Sequence, residues 1–384
     1  MKKIRILILC KVVDNFGDIG VVYRLARAMS EQEQDLDMTI AVSDLASFKA
    51  MAPQVDVAKD EQTFCGWNII QWDVSDKIAK TFEENPPQII LECFQCGRPD
   101  WLENILFAEK FTKTVQIINI DYLTAEEYAD DFHLLKSGTR KTCIKKINFM
   151  PGFTEKTGSL ILDNDFMESL SKAKRESHSD DFKVLVFSYE QDFSAIVQAL
   201  KEFQAEQKNK NADFSVKAFV APGRSSEPFL NAWQAESCPF QIERLDFLRQ
   251  QEWDSLLCKM DFIFIRGEDS LSRACLAGIP FIWRAYPQDE DYHLVKLNAL
   301  LARMKTYLSK EDFSNLSAAW NWYNGDQNVP SASGKNALKA ILTAAKECNL
   351  RDAFRGFSQN LIQNGNLAAH LLEYIDEVCK SLDL

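Results

Sequence analysis

The stretch from Ile4 to Cys10, IRILILC, is apolar at every position but Arg5. A run so short and so continuous suits a strand buried on both faces, as in the parallel sheet of an α/β protein. It is followed by KVVDNFGDIG, after which Val21, Val22, Leu25, Ala26 and Met29 recur at helical spacing. Strand, glycine-containing turn and helix make the βα unit that binds ligands at the carboxyl edge of open sheets. Here the turn carries two carboxylates, Asp14 and Asp18, among Asn15, Gly17 and Gly20. A phosphate is disfavoured beside two acids, so the turn suits a cation or a proton donor. The same residues also fit a local role, with Asp14 opening an Asx turn and Asp18 capping the helix.

The alternation continues along the chain. Met38–Ser43, Trp67–Trp72, Pro87–Cys93 and Thr114–Ile120 read as strands. Asp76–Glu84 reads as a helix that ends before Pro86 and Pro87. Asp121 and Tyr122 fall at the carboxyl end of the Thr114–Ile120 strand. Met150–Leu160 is rich in Pro, Gly and Thr, and Ser171–Asp181 is polar, so a domain boundary is expected between them. The pattern then starts afresh with strands at Phe182–Phe187, Phe214–Val220, Phe240–Leu245 and Asp261–Ile265. Alternation of this kind is the signature of doubly wound parallel sheets. Beyond Tyr292 the chain is helical in pattern.

A second motif, RGEDSLSRA over 266–274, follows the Asp261–Ile265 strand and runs through Gly278 and Pro280 into FIW. Asp269 or Ser270 can cap the helix, leaving backbone N–H groups at its start, with Arg266 beside them. Such a helix start is an anion site, though an ordinary capped helix fits the residues equally. In the loop after FIW, Asp289 and Asp291 form a D-x-D, a pattern that metal sites share with many acidic chains.

The formal net charge of −12 argues against nonspecific binding to nucleic acid or anionic membranes. No apolar run is long enough to span a membrane, and a cytoplasmic location is expected. The ten cysteines read as reduced thiols. Cys93 and Cys96 form the one C-x-x-C, without the four-ligand set a zinc site needs. A redox role and a pair of buried thiols both fit it.

Several stretches carry a resemblance in chain order: KVVDNFGDIGVVYRLAR, LECFQC, NIDYLTAEEY, MPGFTEKTG, FSYE, RGEDSLSRACLAGIPFIW and YPQDEDYH. From about residue 9 to about residue 300 the chain resembles the EarP family, protein-arginine rhamnosyltransferases that act on bacterial elongation factor P. The resemblance implies a GT-B glycosyltransferase fold, two Rossmann-like domains facing a central cleft. The acceptor-binding domain would span 1–150 plus a C-terminal helix at about 355–384, and the nucleotide-sugar domain 180–350. The implied reaction is inverting transfer of L-rhamnose from dTDP-β-L-rhamnose to the guanidinium of one arginine of elongation factor P. The modified factor supports translation of polyproline stretches. No cofactor or metal is implied.

Residue by residue, Asp14 and Asp18 match the family's catalytic acids. Tyr189, Arg266, Glu268, Asp269 and Ser270 match donor phosphate and sugar contacts, and Tyr286 a further diphosphate contact. Phe247 and Gln250 match the base pocket, in which Trp253 stands where Phe is usual and Arg249 where Pro is common. Asp121 and Tyr122 are candidate acceptor contacts, with the loops Phe94–Trp101 and Asp121–Asp131 around them. A carboxylate can hold a guanidinium bidentate while a second accepts its proton. Asp18 is the expected base and Asp14 the holder. A GT-B transferase with another sugar or acceptor, or a non-catalytic nucleotide-sugar-binding adaptor, also fits the two-domain pattern.

Overall fold

A computed structural model describes residues 3–13, 16–33, 36–173 and 181–382. The chain forms two compact units, Met1–Asn164 with Asn364–Leu384, and Asp165–Gln363.

The first unit opens with β1 (Ile4–Cys10), α1 (Gly17–Gln32), β2 (Leu36–Val42), α2 (Leu45–Met51), β3 (Glu61–Phe64) and β4 (Trp67–Gln71). It continues through α3 (Asp76–Glu84), β5 (Ile89–Cys93), α4 (Asp100–Phe107), β6 (Val115–Ile120), α5 (Tyr128–Phe132), β7 (Lys136–Ser137) and β8 (Ile144–Phe149). Its sheet has the order β3-β4-β2-β1-β5-β6-β8-β7. The pairings are parallel except at the two ends, where β3 and β7 run antiparallel to their neighbours. β5 and β6 are buried at every residue, because helices cover both faces of a parallel sheet.

The second unit comprises α6 (Asn164–Ala173), β9 (Asp181–Val186), α7 (Ser194–Lys208), β10 (Ser215–Val220), α8 (Ser226–Ala235), β11 (Gln241–Arg244) and α9 (Gln250–Leu257). Then come β12 (Phe262–Arg266), α10 (Glu268–Ala277), β13 (Phe281–Arg284), α11 (Tyr292–Met304), α12 (Lys310–Tyr323), α13 (Ser331–Lys346) and α14 (Asn349–Gln363). Its five strands are all parallel, in the order β11-β10-β9-β12-β13. The chain between the two polar stretches, where a domain boundary is expected, holds α6, which buries Phe166 and Leu170.

The final helix, α15 (Leu367–Leu382), returns to the first unit. Leu367, Leu371, Ile375 and Val378 form its apolar stripe and join the core that includes Val22 and Met29 of α1. Gly365, at φ +100°, breaks the helical run between α14 and α15. Asn366 then holds the return in place: it accepts from the Leu162 N–H at 3.1 Å and donates to the Leu162 carbonyl at 2.7 Å.

His133, at the end of α5, accepts the Met150 N–H on Nδ1 at 3.1 Å and packs edge-on against Phe149. Burial, with His370 next in effect, lowers its pKa from 6.5 to about 4. The folded state therefore favours the neutral ring, and the unfolded chain takes up the proton first as pH falls. The stability this group contributes is complete above pH 6.5 and is lost as pH falls toward about 4. His133→Gln should therefore lose less stability than the parent chain between pH 7 and pH 5, as read by chemical denaturation. An identical pH dependence in the two proteins would contradict the assignment.

Candidate active site

In the first sheet the chain leaves β1 toward β2 on one side and returns to β5 on the other. A crevice at such a reversal, beyond the carboxyl ends of the strands, is where open α/β sheets bind ligands. Among the described residues, those there are 11–13 after β1, the start of α1, and the segments after β5 and β6.

Asp18 is the second residue of α1, 5% exposed. It does not cap the helix: the cap position is Phe16, which makes no side-chain capping bond. Instead the Asp18 carboxylate reaches back to accept the Val13 N–H at 2.7 Å, pinning the loop after β1. Its place in the first turn puts the anion where the helix dipole favours it. Asp14 lies outside the described residues.

Cys10 and Cys93 are buried free thiols, and Cys96 is half-buried. Burial raises the Cys10 and Cys93 pKa values, and the Asp18 carboxylate adds to both. Burial likewise lifts Cys96 to about 11. Its single S–H has two acceptors within reach, the Leu9 carbonyl at 3.5 Å and the Gly97 carbonyl at 3.3 Å. Burial thus shifts both thiols of the C-x-x-C pair away from the thiolate form that redox motifs favour.

Between those cysteines Phe94 and Gln95 adopt φ +61° and +54°, a conformation uncommon for residues with a Cβ. The segment is held by its neighbours. The Phe94 ring stacks on Tyr122 at 4.8 Å, and Gln95 Nε2 donates to Asp121 at 2.8 Å. The other Asp121 oxygen accepts the Tyr122 N–H at 2.8 Å. Asp121 and Tyr122 are thus brought together with Phe94 and Gln95, two residues that sequence reasoning placed only within a contact loop.

In the second sheet the reversal lies between β9 and β12. Arg266 ends β12, and its guanidinium lies 4.7 Å from the ring centres of both Phe187 and Tyr189, just after β9. Tyr189 meets Tyr286 edge-to-face at 5.4 Å, and Phe187 meets Trp253 at 5.0 Å. Tyr189, Trp253, Arg266 and Tyr286 therefore belong to one cluster. Its centre, Phe187, was read from sequence as a strand residue, but β9 ends one residue earlier. Behind it Ser188 is buried, its hydroxyl accepting from Tyr323 at 2.8 Å.

Glu268, Asp269 and Ser270 form the first turn of α10. Neither Asp269 nor Ser270 caps it: Gly267 holds the cap position at φ 71°, ψ 166°, with no side-chain bond. The first intrahelical bond runs from the Leu271 N–H to the Gly267 carbonyl, so the preceding turn directs its N–H groups toward the end of β12. Phe247, 49% exposed, precedes α9, and Gln250 is buried in its first turn. Among the described residues no group of three His, Cys, Asp or Glu is placed to hold a metal ion. Asp289 and Asp291 are exposed.

Residues 6–376 match the family model of the elongation-factor P (EF-P) rhamnosyltransferase EarP. The chain belongs to the EarP family. A protein-arginine rhamnosyltransferase of Shewanella oneidensis is 31% identical over 323 residues, covering 77% of this chain and 79% of the relative. One from Neisseria meningitidis is 33% identical over 309 residues, 76% of each chain. A solved structure that concerns EarP-mediated arginine glycosylation of EF-P aligns over 98% of this chain and 99% of its own. Its TM-score is 0.59 at 21% identity. The rhamnosyltransferase SpnG, solved with thymidine diphosphate, aligns over 97% of this chain and 100% of its own at TM-score 0.50 and 10% identity. The fold is that of GT-B glycosyltransferases.

Arg249 and Trp253, expected to depart from the EarP pattern, each have a structural reading. Arg249 sits at φ −68°, an angle proline shares, so the exchange leaves the backbone path open. Its N–H donates to the Glu252 carboxylate at 2.9 Å, a capping bond that proline cannot make. Trp253 uses its larger ring to pack on Phe187.

The Gly267 backbone occupies a region that residues with a Cβ avoid, although an added Cβ would meet no atom within 4 Å. Gly267→Ala should therefore destabilise the chain by about 1–3 kcal/mol through backbone strain alone. Chemical denaturation measures this, and an unchanged midpoint would contradict the conformation.

Proposed function

We propose that this chain transfers L-rhamnose from dTDP-β-L-rhamnose to the guanidinium of an arginine in elongation factor P, in the cytoplasm. One observation carries the reading. A buried carboxylate, Asp18, stands at the switch point of the first unit, while a guanidinium–aromatic cluster meets a helix start at that of the second. The first suits a cationic acceptor that must lose a proton, and the second a leaving group that gains negative charge.

In this reading a guanidinium nitrogen attacks the anomeric carbon of rhamnose as the bond from that carbon to the diphosphate oxygen breaks. The configuration at carbon inverts, and dTDP leaves with the electron pair. A protonated guanidinium is a poor nucleophile. Asp18 takes the proton as the C–N bond forms, and Asp14 holds and orients the guanidinium. Arg266, Tyr189, Tyr286 and the α10 turn of Glu268, Asp269 and Ser270 receive the diphosphate and sugar. A charge that develops at a preorganised helix start is stabilised without solvent reorganisation. The exposed ring of Phe247 stacks on thymine and Gln250 reads its edge, with Trp253 closing the pocket. Asp121 and Tyr122, fixed by Gln95 and Phe94, contact the acceptor at the rim.

Incubation of the chain with elongation factor P and dTDP-β-L-rhamnose should add the mass of one deoxyhexose to a single arginine peptide. Transfer from another nucleotide sugar, or tight nucleotide binding without turnover, would contradict the proposal. Because the α10 turn and Arg266 carry the leaving-group charge, turnover should persist in excess EDTA. Loss of activity that Mg²⁺ or Mn²⁺ restores would contradict this and bring Asp289 and Asp291 into the site.

A further inference from the structure

Tyr189 follows β9 and Tyr286 follows β13, the two strands that flank β12 and its terminal Arg266. Their rings meet edge-to-face, yet Tyr286 is 61% exposed, so packing alone does not fix it. Both segments are held from one place, the carboxyl end of α12, where Tyr323 and Asn324 are buried.

Tyr323 serves the first segment. Its hydroxyl donates to Ser188, the residue before Tyr189, at 2.8 Å. The Ser188 N–H in turn donates to the Ser225 hydroxyl at 3.1 Å, and the Tyr323 ring lies 5.5 Å from that of Phe264 on β12. Asn324 serves the second segment. β13 ends the sheet, and its outer main-chain groups meet α12 in place of a further strand. Trp320 Nε1 donates to the Phe281 carbonyl at 2.9 Å, and Asn324 Nδ2 donates to the Trp283 carbonyl at 2.8 Å. Asn324 Oδ1 accepts the N–H of Ala285, the residue before Tyr286, at 3.0 Å. The Asn324 carbonyl also accepts from His293 Nε2 at 3.2 Å, and His293 Nδ1 accepts the Gln288 N–H at 3.4 Å. Both bonds fit one neutral tautomer, protonated on Nε2. Asn324 thus holds the chain on both sides of Tyr286.

The end of α12 does not itself require these side-chain bonds. The Asn324 N–H closes the last turn on the Trp320 carbonyl at 3.0 Å, and Gly325 leaves at φ +86°. The Asn324 amide is instead engaged at its oxygen and at both of its hydrogens, since Nδ2 reaches the Trp320 carbonyl as well, at 2.8 Å. A buried polar group satisfied in this way specifies one arrangement of its partners. We propose that Tyr323 and Asn324 are positioning residues for the donor. They act through Ser188 and Ala285 to set Tyr189 and Tyr286 where the two rings receive the diphosphate. The inference rests on the donor site proposed above for the second unit. Groups fixed in advance stabilise the charge of the leaving diphosphate without reorganising as it forms.

The test measures dTDP and dTMP binding to the full chain by calorimetry, with folding checked by thermal denaturation. dTMP keeps the thymine and one phosphate, so the difference between the two ligands reports the second phosphate. Asn324→Ala should weaken dTDP by at least about tenfold and dTMP by less than about threefold, because it deletes several hydrogen bonds and strands the Ala285 N–H. Tyr323→Phe removes one hydroxyl and keeps the ring, so it should fold even where Asn324→Ala does not. It should weaken dTDP by about threefold to tenfold, the worth of one hydrogen bond, and leave dTMP unchanged. In a Tyr189→Ala background, Tyr323→Phe should have no further effect on dTDP, because the residue it acts through is gone. Unchanged dTDP affinity in Tyr323→Phe, an equal loss for both ligands, or a loss that persists without Tyr189 would overturn the proposal and leave the donor site standing. So would a Tyr323→Phe chain that fails to fold, since the hydroxyl would then serve stability. A parent chain that binds dTDP no better than dTMP would instead overturn the diphosphate site, and this inference with it.

Discussion

The first unit depends on an ion pair from which water is excluded. Arg24 of α1 and Asp163 meet at 2.9 Å, and neither side chain is exposed. Removing one partner from such a pair costs about 3–5 kcal/mol, because it strands a buried charge. The helix it anchors is the one whose first turn carries Asp18. Glu31, farther along the same helix, accepts the Asn164 N–H at 3.0 Å, and α15 packs along it. α1 is thus fixed by residues far away in sequence, and the position of Asp18 follows from that.

The same division between rigid support and exposed edge recurs in both sheets. In both sheets a buried parallel strand leads into residues of unusual backbone conformation just past its carboxyl end. Phe94 and Gln95 follow β5 with positive φ, and Gly267 follows β12. Strain of this kind persists where surrounding contacts over-determine it. Tyr122 and Asp121 supply those contacts after β5, and the aromatic cluster around Arg266 surrounds the end of β12.

Much of this was legible in the sequence where local chemistry decides. IRILILC reads as a strand because apolar side chains fill both faces, and β1 has those bounds. α3 runs from Asp76 to Glu84 as read, closed by the prolines that follow. β8 went unread because Lys145 and Lys146 interrupt its pattern. Lys146 is tolerated inside the sheet only because Glu92, two strands away, compensates it. The α1 and α10 caps were misread for a related reason. Asp18 finds its acceptor role in a loop bond, and Gly267 fills its cap position by backbone conformation, neither of which spacing reveals. Tyr189, Arg266 and Tyr286 were named from motif resemblance, whereas Phe187 emerged only when three segments distant in sequence were folded together.

The central claim is that Asp18 acts on the acceptor while the second unit holds the donor. The direct measurement is the transfer rate of Asp18→Asn at saturating dTDP-β-L-rhamnose, with dTDP affinity determined on the same protein. The account predicts a rate lower by roughly 10²–10⁴-fold, the usual worth of a general base, with dTDP affinity unchanged. A rate within about tenfold of the parent would contradict the role of Asp18. A loss of dTDP binding in step with the rate would contradict the division of labour between the two units.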